Sequence, residues 1–189
     1  GTIYPSELVP TEGIRNITPR DVSDAAGFGA SVKLIANTRK TSDGKIMISV
    51  APRFVPAENP LYNVRDVFNG ILVSGEAVGD LMFYGRGAGR IPTAGAVLAD
   101  IVEIIKHMDS KQLPPPVWVR GGSETLADAA SEKSRFYCRV KGRRVPDNII
   151  SGKHIYSDGE TSFVTVETDL AELEKQLAGY EVTARYRFI

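Results

Sequence analysis

Between Asp80 and Thr93 the chain reads Asp-Leu-Met-Phe-Tyr-Gly-Arg-Gly-Ala-Gly-Arg-Ile-Pro-Thr. A strand-like apolar run passes into alternating glycines and then into a proline-marked helix start. This sequence of elements fixes the local order strand, tight turn, helix, and it excludes an all-helical or all-β chain. Seven of the 18 glycines fall between Gly70 and Gly95, so the density is local. Glycine adopts positive φ freely and lets a ligand approach the backbone. A helix start adds unpaired N–H groups and the positive end of a dipole. Phosphates or a dinucleotide could approach Gly85, Gly87 and Gly89 on this basis. The alternative is close strand–helix packing, with Gly95 touching a neighbour. The segment is not the dinucleotide fingerprint G-x-G-x-x-G, because position 90 is Arg.

The helix that follows is predicted from about Pro92 to Met108. Val97, Leu98, Ile101, Val102, Ile104, Ile105 and Met108 recur at helical spacing. Upstream, Gly70–Ser74 and Asp80–Tyr84 read as strands around the turn at 75–79. Thr18-Pro19 reads as a cap and first helical position, with Gly27 as the stop. Strands are predicted over Ser31–Thr38 and Ile46–Phe54. Pro114-Pro115-Pro116, followed by Gly121-Gly122, marks a change of composition. Residues 111–133 are therefore expected to be a Pro/Gly linker holding a short helix at Ser123–Ala130; the alternative is a rigid surface loop inside a single domain. Beyond it come a strand at Arg135–Val140, a hairpin from Lys153–Tyr156 to Ser162–Glu167, a helix at Asp169–Ala178 and a strand from Tyr180. The class is α+β: a mixed or antiparallel sheet with helices on one face, then a small α+β domain over 134–189.

At 189 residues the chain makes one generous domain or two small ones. Such a chain buries roughly 70% of its unfolded surface, so no metal or disulfide is required for folding. Its 23 basic and 23 acidic side chains balance, and they balance locally: residues 1–110 carry 11 and 12. That argues against a nucleic-acid partner, which needs clustered Lys and Arg. Cys138 is the single cysteine, so there is no internal disulfide and no Cys-rich zinc site. No apolar run reaches the roughly 18 residues of a membrane span, and no secretory signal opens the sequence. These features predict a cytoplasmic protein.

Other chemistry-bearing residues read as structural. Cys138 lies in the apolar run Phe136-Tyr137-Cys138 and fits a buried small hydrophobe. His107 and His154 lack the Cys or carboxylate pattern of a zinc site. Glu76 and Asp80 flank a turn and read as solvated. Lys33 sits between Val32 and Leu34, with nothing nearby to lower its pKa. No group reads as catalytic and none as a metal ligand.

The stretch from Ala77 to Asp100 resembles the end of the catalytic domain of homoserine dehydrogenases. So does Glu12-Gly13-Ile14-Arg15-Asn16-Ile17-Thr18, followed by a helix and by Val32-Lys33-Leu34-Ile35-Ala36. So does Val64-Arg65-Asp66-Val67-Phe68-Asn69. The three matches stand in the family's order and span residues 1 to about 108. The resemblance implies an NAD(P)-dependent interconversion of L-homoserine and L-aspartate 4-semialdehyde, leading to threonine and methionine. It implies hydride transfer at homoserine C4, with a lysine handling the proton. The family's nucleotide-binding domain, catalytic lysine and substrate-binding acids would lie upstream of Gly1, so the 189 residues alone are expected to be inactive. The resemblance carries over Gly89 as the glycine nearest the nicotinamide, with Gly85 and Gly87 forming the loop. It also implies a homodimer or larger homo-oligomer.

Residues 134–189 resemble a reduced ACT domain, whose pattern is βαββαβ. The stretch Gly142–Ile150 is too short, and too broken by Pro146, for the first helix. Effector binding in ACT domains involves that turn and helix, so a structural or dimerising role for this copy stands beside threonine feedback as an equal alternative. A different reading of the whole is a stand-alone ACT-like amino-acid-binding or dimerisation module without catalysis.

Overall fold

A computed structural model describes residues 1–108, 118–146 and 148–189. Its strands and α-helices in chain order are β1 (Thr2–Ile3), α1 (Pro19–Gly27), β2 (Ala30–Lys40), β3 (Ile46–Pro56), β4 (Phe68–Gly75), β5 (Gly79–Arg86), α2 (Arg90–His107), β6 (Val119–Arg120), β7 (Arg135–Lys141), β8 (Ile150–Ser157), β9 (Glu160–Thr165), α3 (Leu170–Leu177) and β10 (Val182–Phe188). The chain forms two compact units, Gly1 with Glu58–Val119 and Thr2–Ala57 with Arg120–Ile189.

The larger unit is built on a six-stranded sheet in the order β2-β3-β10-β7-β9-β8. β3 and β10 run parallel, with Arg187 opposite Arg53 and Phe188 opposite Phe54. Every other pairing in this sheet is antiparallel, so the mixed α+β class expected from sequence holds. The expected boundaries do not match this grouping. A domain ending near 110 and another starting at 134 would separate β2 and β3 from β7 to β10. Instead β10 hydrogen-bonds to β3 on one side and β7 on the other. Alternating apolar residues tell which face a strand buries, not which strand lies beside it.

Two cores sit on opposite faces of this sheet. Phe54, Tyr137, Val164, Tyr186 and Phe188 pack with Ala25 of α1. Phe136, Cys138, Val140 and Phe163 pack with Leu173 and Leu177 of α3. Each face of this sheet thus carries one helix. Phe54 stacks on Tyr137 with ring centroids 4.3 Å apart and on Tyr186 at 5.9 Å.

α1 begins as its sequence dictates. The Thr18 N–H donates to Asp21 Oδ2 at 2.8 Å, the Asp21 N–H donates back to Thr18 Oγ1, and Pro19 opens the helix. The acids of this helix point inward. Asp24 accepts from the Tyr137 hydroxyl at 2.7 Å, from Ser162 Oγ and from Arg20 Nε. Asp21 lies 3.3 Å from Arg139, which also meets Glu160 at 3.2 Å. Five buried or half-buried charges are thereby ion-paired, the usual condition for burying any of them, although Asp21 Oδ1 and one terminal nitrogen each of Arg20 and Arg139 have no hydrogen-bond partner.

The helix expected at Ser123–Ala130 is instead two 3₁₀ turns, Ser123–Thr125 and Ala129–Ser131. Between them the Ala127 N–H donates to Ile46 O at 2.9 Å, which draws the backbone onto the start of β3. Pro114-Pro115-Pro116 lie outside the described residues. The described residues of 142–149 hold no helix, as Pro146 led one to expect.

In the smaller unit β4 and β5 form an antiparallel hairpin in continuous register from Phe68–Arg86 to Gly75–Gly79. Phe68 stacks on Tyr84 at 4.8 Å, and Arg86 lies over the Phe68 ring. α2 has no buried residue: Ile91, Leu98, Ile104 and Met108 are all exposed. The helical spacing read from sequence is present, but its apolar face is uncovered. No described helix is long and apolar enough to cross a membrane.

Candidate functional site

The glycine loop joins β5 to α2, as its sequence requires. Gly85 is the penultimate residue of β5, and Gly87 and Gly89 make the turn. Gly89 holds φ at 118° and ψ at 153°, a conformation that L side chains rarely adopt, and it caps the N-terminus of α2. The cap has no side-chain partner, and the Thr93 N–H closes the first turn on Gly89 O at 3.1 Å. The leading N–H groups of an 18-residue helix therefore emerge at this loop.

Gly87 is glycine for a different reason. Its N–H donates to Val67 O at 3.0 Å, and a Cβ here would collide with the Asn69 amide. Asn69 is thus the side chain that shapes the loop, a role the spacing of the glycines could not reveal. Around Gly85 a Cβ would meet nothing within 4 Å. The same is true of Gly95 among the described residues. The packing alternative needed Gly95 against a neighbour, and no described residue stands at that position. What remains is an open loop with accessible backbone, able to admit a flat or anionic group along its edge and onto the helix start.

The other candidates have local surroundings of their own. Asp80 is exposed and accepts from Ser74 Oγ at 2.6 Å, and Glu76 is exposed in the turn. His107 Nδ1 lies 2.8 Å from Glu103 O, one turn back on α2. His154 is exposed on β8, and Lys33 is half-buried on β2 opposite Arg53. Among the described residues no three His, Cys, Asp or Glu side chains gather as metal ligands. Cys138 is fully buried, and that burial pushes its thiol up to about 12. It is a packed hydrophobe with no accessible thiolate.

Residues 1–102 match the family model described as homoserine dehydrogenase. The homoserine dehydrogenase of Lactococcus lactis is 41% identical over 165 residues, covering 87% of this chain and 38% of the relative. That of Bacillus subtilis is 43% identical over 102 residues, covering 54% of this chain and 23% of the relative. Among solved structures, a homoserine dehydrogenase from Thiobacillus denitrificans superposes with TM-score 0.74 at 26% identity, over 97% of this chain and 48% of that one. The Staphylococcus aureus homoserine dehydrogenase at pH 7.0 gives 0.69 at 28% identity with the same coverage. The chain therefore spans at most about half the length of these relatives, while nearly all of it follows their fold. With a family model over more than half of its residues, the chain belongs to the homoserine dehydrogenase family.

Proposed function

We propose that these residues form the C-terminal portion of an enzyme that interconverts L-homoserine and L-aspartate 4-semialdehyde with NAD(P), in threonine and methionine biosynthesis. The observation that carries this reading is the loop at Gly85–Gly89: open backbone, positive φ at Gly89, and a helix start directly behind it. A bound NAD(P) would supply or accept the hydride. Gly85, Gly87 and Gly89 would let its nicotinamide end approach the backbone, with Gly89 nearest. Asn69 would hold the loop in shape from below. In this reading proton transfer and substrate positioning fall to residues outside this chain, as the family resemblance implies. The 189 residues alone are accordingly inactive.

The same reading gives the larger unit a supporting role. β7, the β8–β9 hairpin, α3 and β10 follow the ACT order without its first helix. Their union with β2 and β3 in one sheet favours an integral part over a stand-alone module. The uncovered apolar residues of α2 and β5 favour assembly into dimers or larger species.

The test is Gly89→Val in a full-length homoserine dehydrogenase carrying this loop. The expected outcome is a raised KM for NAD(P) with the protein still folded. Unchanged kinetics would reduce the loop to a structural turn.

A further inference from the structure

The β4–β5 hairpin that leads into the glycine loop has two unlike faces. Residues paired across an antiparallel ladder share a face, as do residues two apart on one strand. On one face Phe68 stacks on Tyr84, Arg86 lies over the Phe68 ring, and a Cβ on Gly70 would meet the Val64, Met82 and Leu61 side chains. That face is filled by its own residues. On the other face Asn69 stands opposite Gly85, and Ile71 stands opposite Phe83 in the next pair. Gly85 leaves open space there, with nothing within 4 Å of an added Cβ. Ile71 and Phe83 beside it are 63% and 62% exposed.

The Asn69 amide lies on this open face, in the volume that a Cβ of Gly87 would take. Gly87 is itself pinned, its N–H donating to Val67 O at 3.0 Å. Asn69 is exposed, and its amide makes no hydrogen bond to any described residue. Asn59 shows what a purely local role looks like: its Oδ1 accepts from the Leu61 N–H at 3.0 Å and caps a turn. Asn69 makes no such bond, so its NH2 donors and its carbonyl acceptor are both left for a ligand at the loop. A primary amide sets a donor and an acceptor side by side, the complement of another primary carboxamide. The open face thus offers an amide, bare glycine backbone across from it and an apolar pair next along the strands. A carboxylate or phosphate answers only to the NH2 and leaves the carbonyl unmatched. A flat ring bearing a carboxamide answers to all three features.

We infer that Asn69 is a specificity-determining residue of the glycine loop, its amide donating to and accepting from the carboxamide of a nicotinamide dinucleotide. This rests on the nicotinamide reading of the loop and deepens it. Gly85, Gly87 and Gly89 admit the ring, Ile71 and Phe83 supply apolar surface for it, and Asn69 tells a carboxamide from other ring substituents.

The test is calorimetric titration, without substrate, of a full-length homoserine dehydrogenase carrying these residues. The probes are NAD+ or NADP+, whichever it binds more tightly, and the 3-acetylpyridine analogue of that dinucleotide, in which a methyl replaces the carboxamide NH2. The analogue can accept from Asn69 but cannot donate to it. The unmutated enzyme is expected to bind the natural dinucleotide about fivefold or more tighter than the analogue. Asn69→Leu, which keeps the side chain's size, and Asn69→Ala should weaken the natural dinucleotide about tenfold or more and the analogue less. The two affinities should then agree to within about twofold. A shape-only role would weaken both equally and leave their ratio unchanged, which would overturn the proposal. So would an unmutated enzyme that does not distinguish the two, and that measurement decides the matter should both variants fail to fold by circular dichroism. Gly89→Val separates the two layers. If it weakens both dinucleotides while the Asn69 variants keep the ratio, the loop stays the cofactor site and Asn69 leaves it. Binding indifferent to Gly89→Val would overturn the loop reading and the role of Asn69 with it.

Discussion

The Tyr137 hydroxyl donates to Asp24 Oδ2 at 2.7 Å, tying residues 113 positions apart in sequence. Tyr137 is on β7 and Asp24 on α1, so this bond fastens the helix of the first 57 residues to the strands of the last 55. Ser162 and Arg20 converge on the same carboxylate. Asp24→Ala would strand two buried hydroxyl donors and a half-buried guanidinium, at a cost of about 3–5 kcal/mol. Tyr137→Phe removes one donor and leaves the carboxylate two partners, costing about 1–2 kcal/mol. Urea unfolding of the two variants measures this, and equal losses would contradict the shared network.

Phe54 connects the same halves through apolar contact, packed between Tyr137 and Tyr186 with no exposure. Phe54→Ala should cost about 3–5 kcal/mol. A shorter chain of residues 118–189, lacking β2 and β3, should fail to fold or should self-associate, because β10 would lose its neighbour and become a bare edge. A monomeric 118–189 chain with a cooperative melt would restore the separate C-terminal domain.

Alkaline stability has a definite sign. The Cys138 thiol is raised from 9.0 to about 12 by burial, and the Tyr186 phenol from 10.0 to about 12, burial again first and the Asp21 and Glu12 charges next. Both groups are neutral in the fold where the unfolded chain would ionise. Their contribution is fully present below about pH 9 and is lost as pH climbs toward about 12. Unfolding free energy should therefore fall across that window, and Cys138→Val should flatten the lower part of the fall. A variant with the same slope as the parent chain would show the thiol to be uninvolved.

Gly89 and Gly87 should respond differently to a methyl group. Gly89→Ala keeps the space but forces φ of 118° on an L residue, a strain of about 1–3 kcal/mol confined to the loop. Gly87→Ala drives Asn69 out of place. Adding Asn69→Gly to Gly87→Ala should recover part of that loss, while adding it to Gly89→Ala should recover none. Melting temperatures of the four variants check this.

Local structure was legible from sequence wherever short-range chemistry decides it. Thr18, Pro19 and Asp21 announce the capped start of α1, and the glycines announce the loop before α2. The proline at 146 announces a missing helix. Pairing between distant strands was not legible. Nothing in the pattern around Arg53 or Arg187 says that they become neighbours, so the β3–β10 union could not be read in advance. Asn69 likewise acquires its role under Gly87 only once the β4–β5 register is set.

The most direct measurement is homoserine-dependent reduction of NAD(P), made on two proteins. One is the 189-residue chain. The other is the same chain joined behind the N-terminal part of the Lactococcus lactis homoserine dehydrogenase that it does not itself match. The expected result is activity in the joined protein, weakened by Gly89→Val, and none in the chain alone. Turnover by the chain alone, or a joined protein that folds yet is indifferent to Gly89→Val, would contradict the role assigned to the glycine loop.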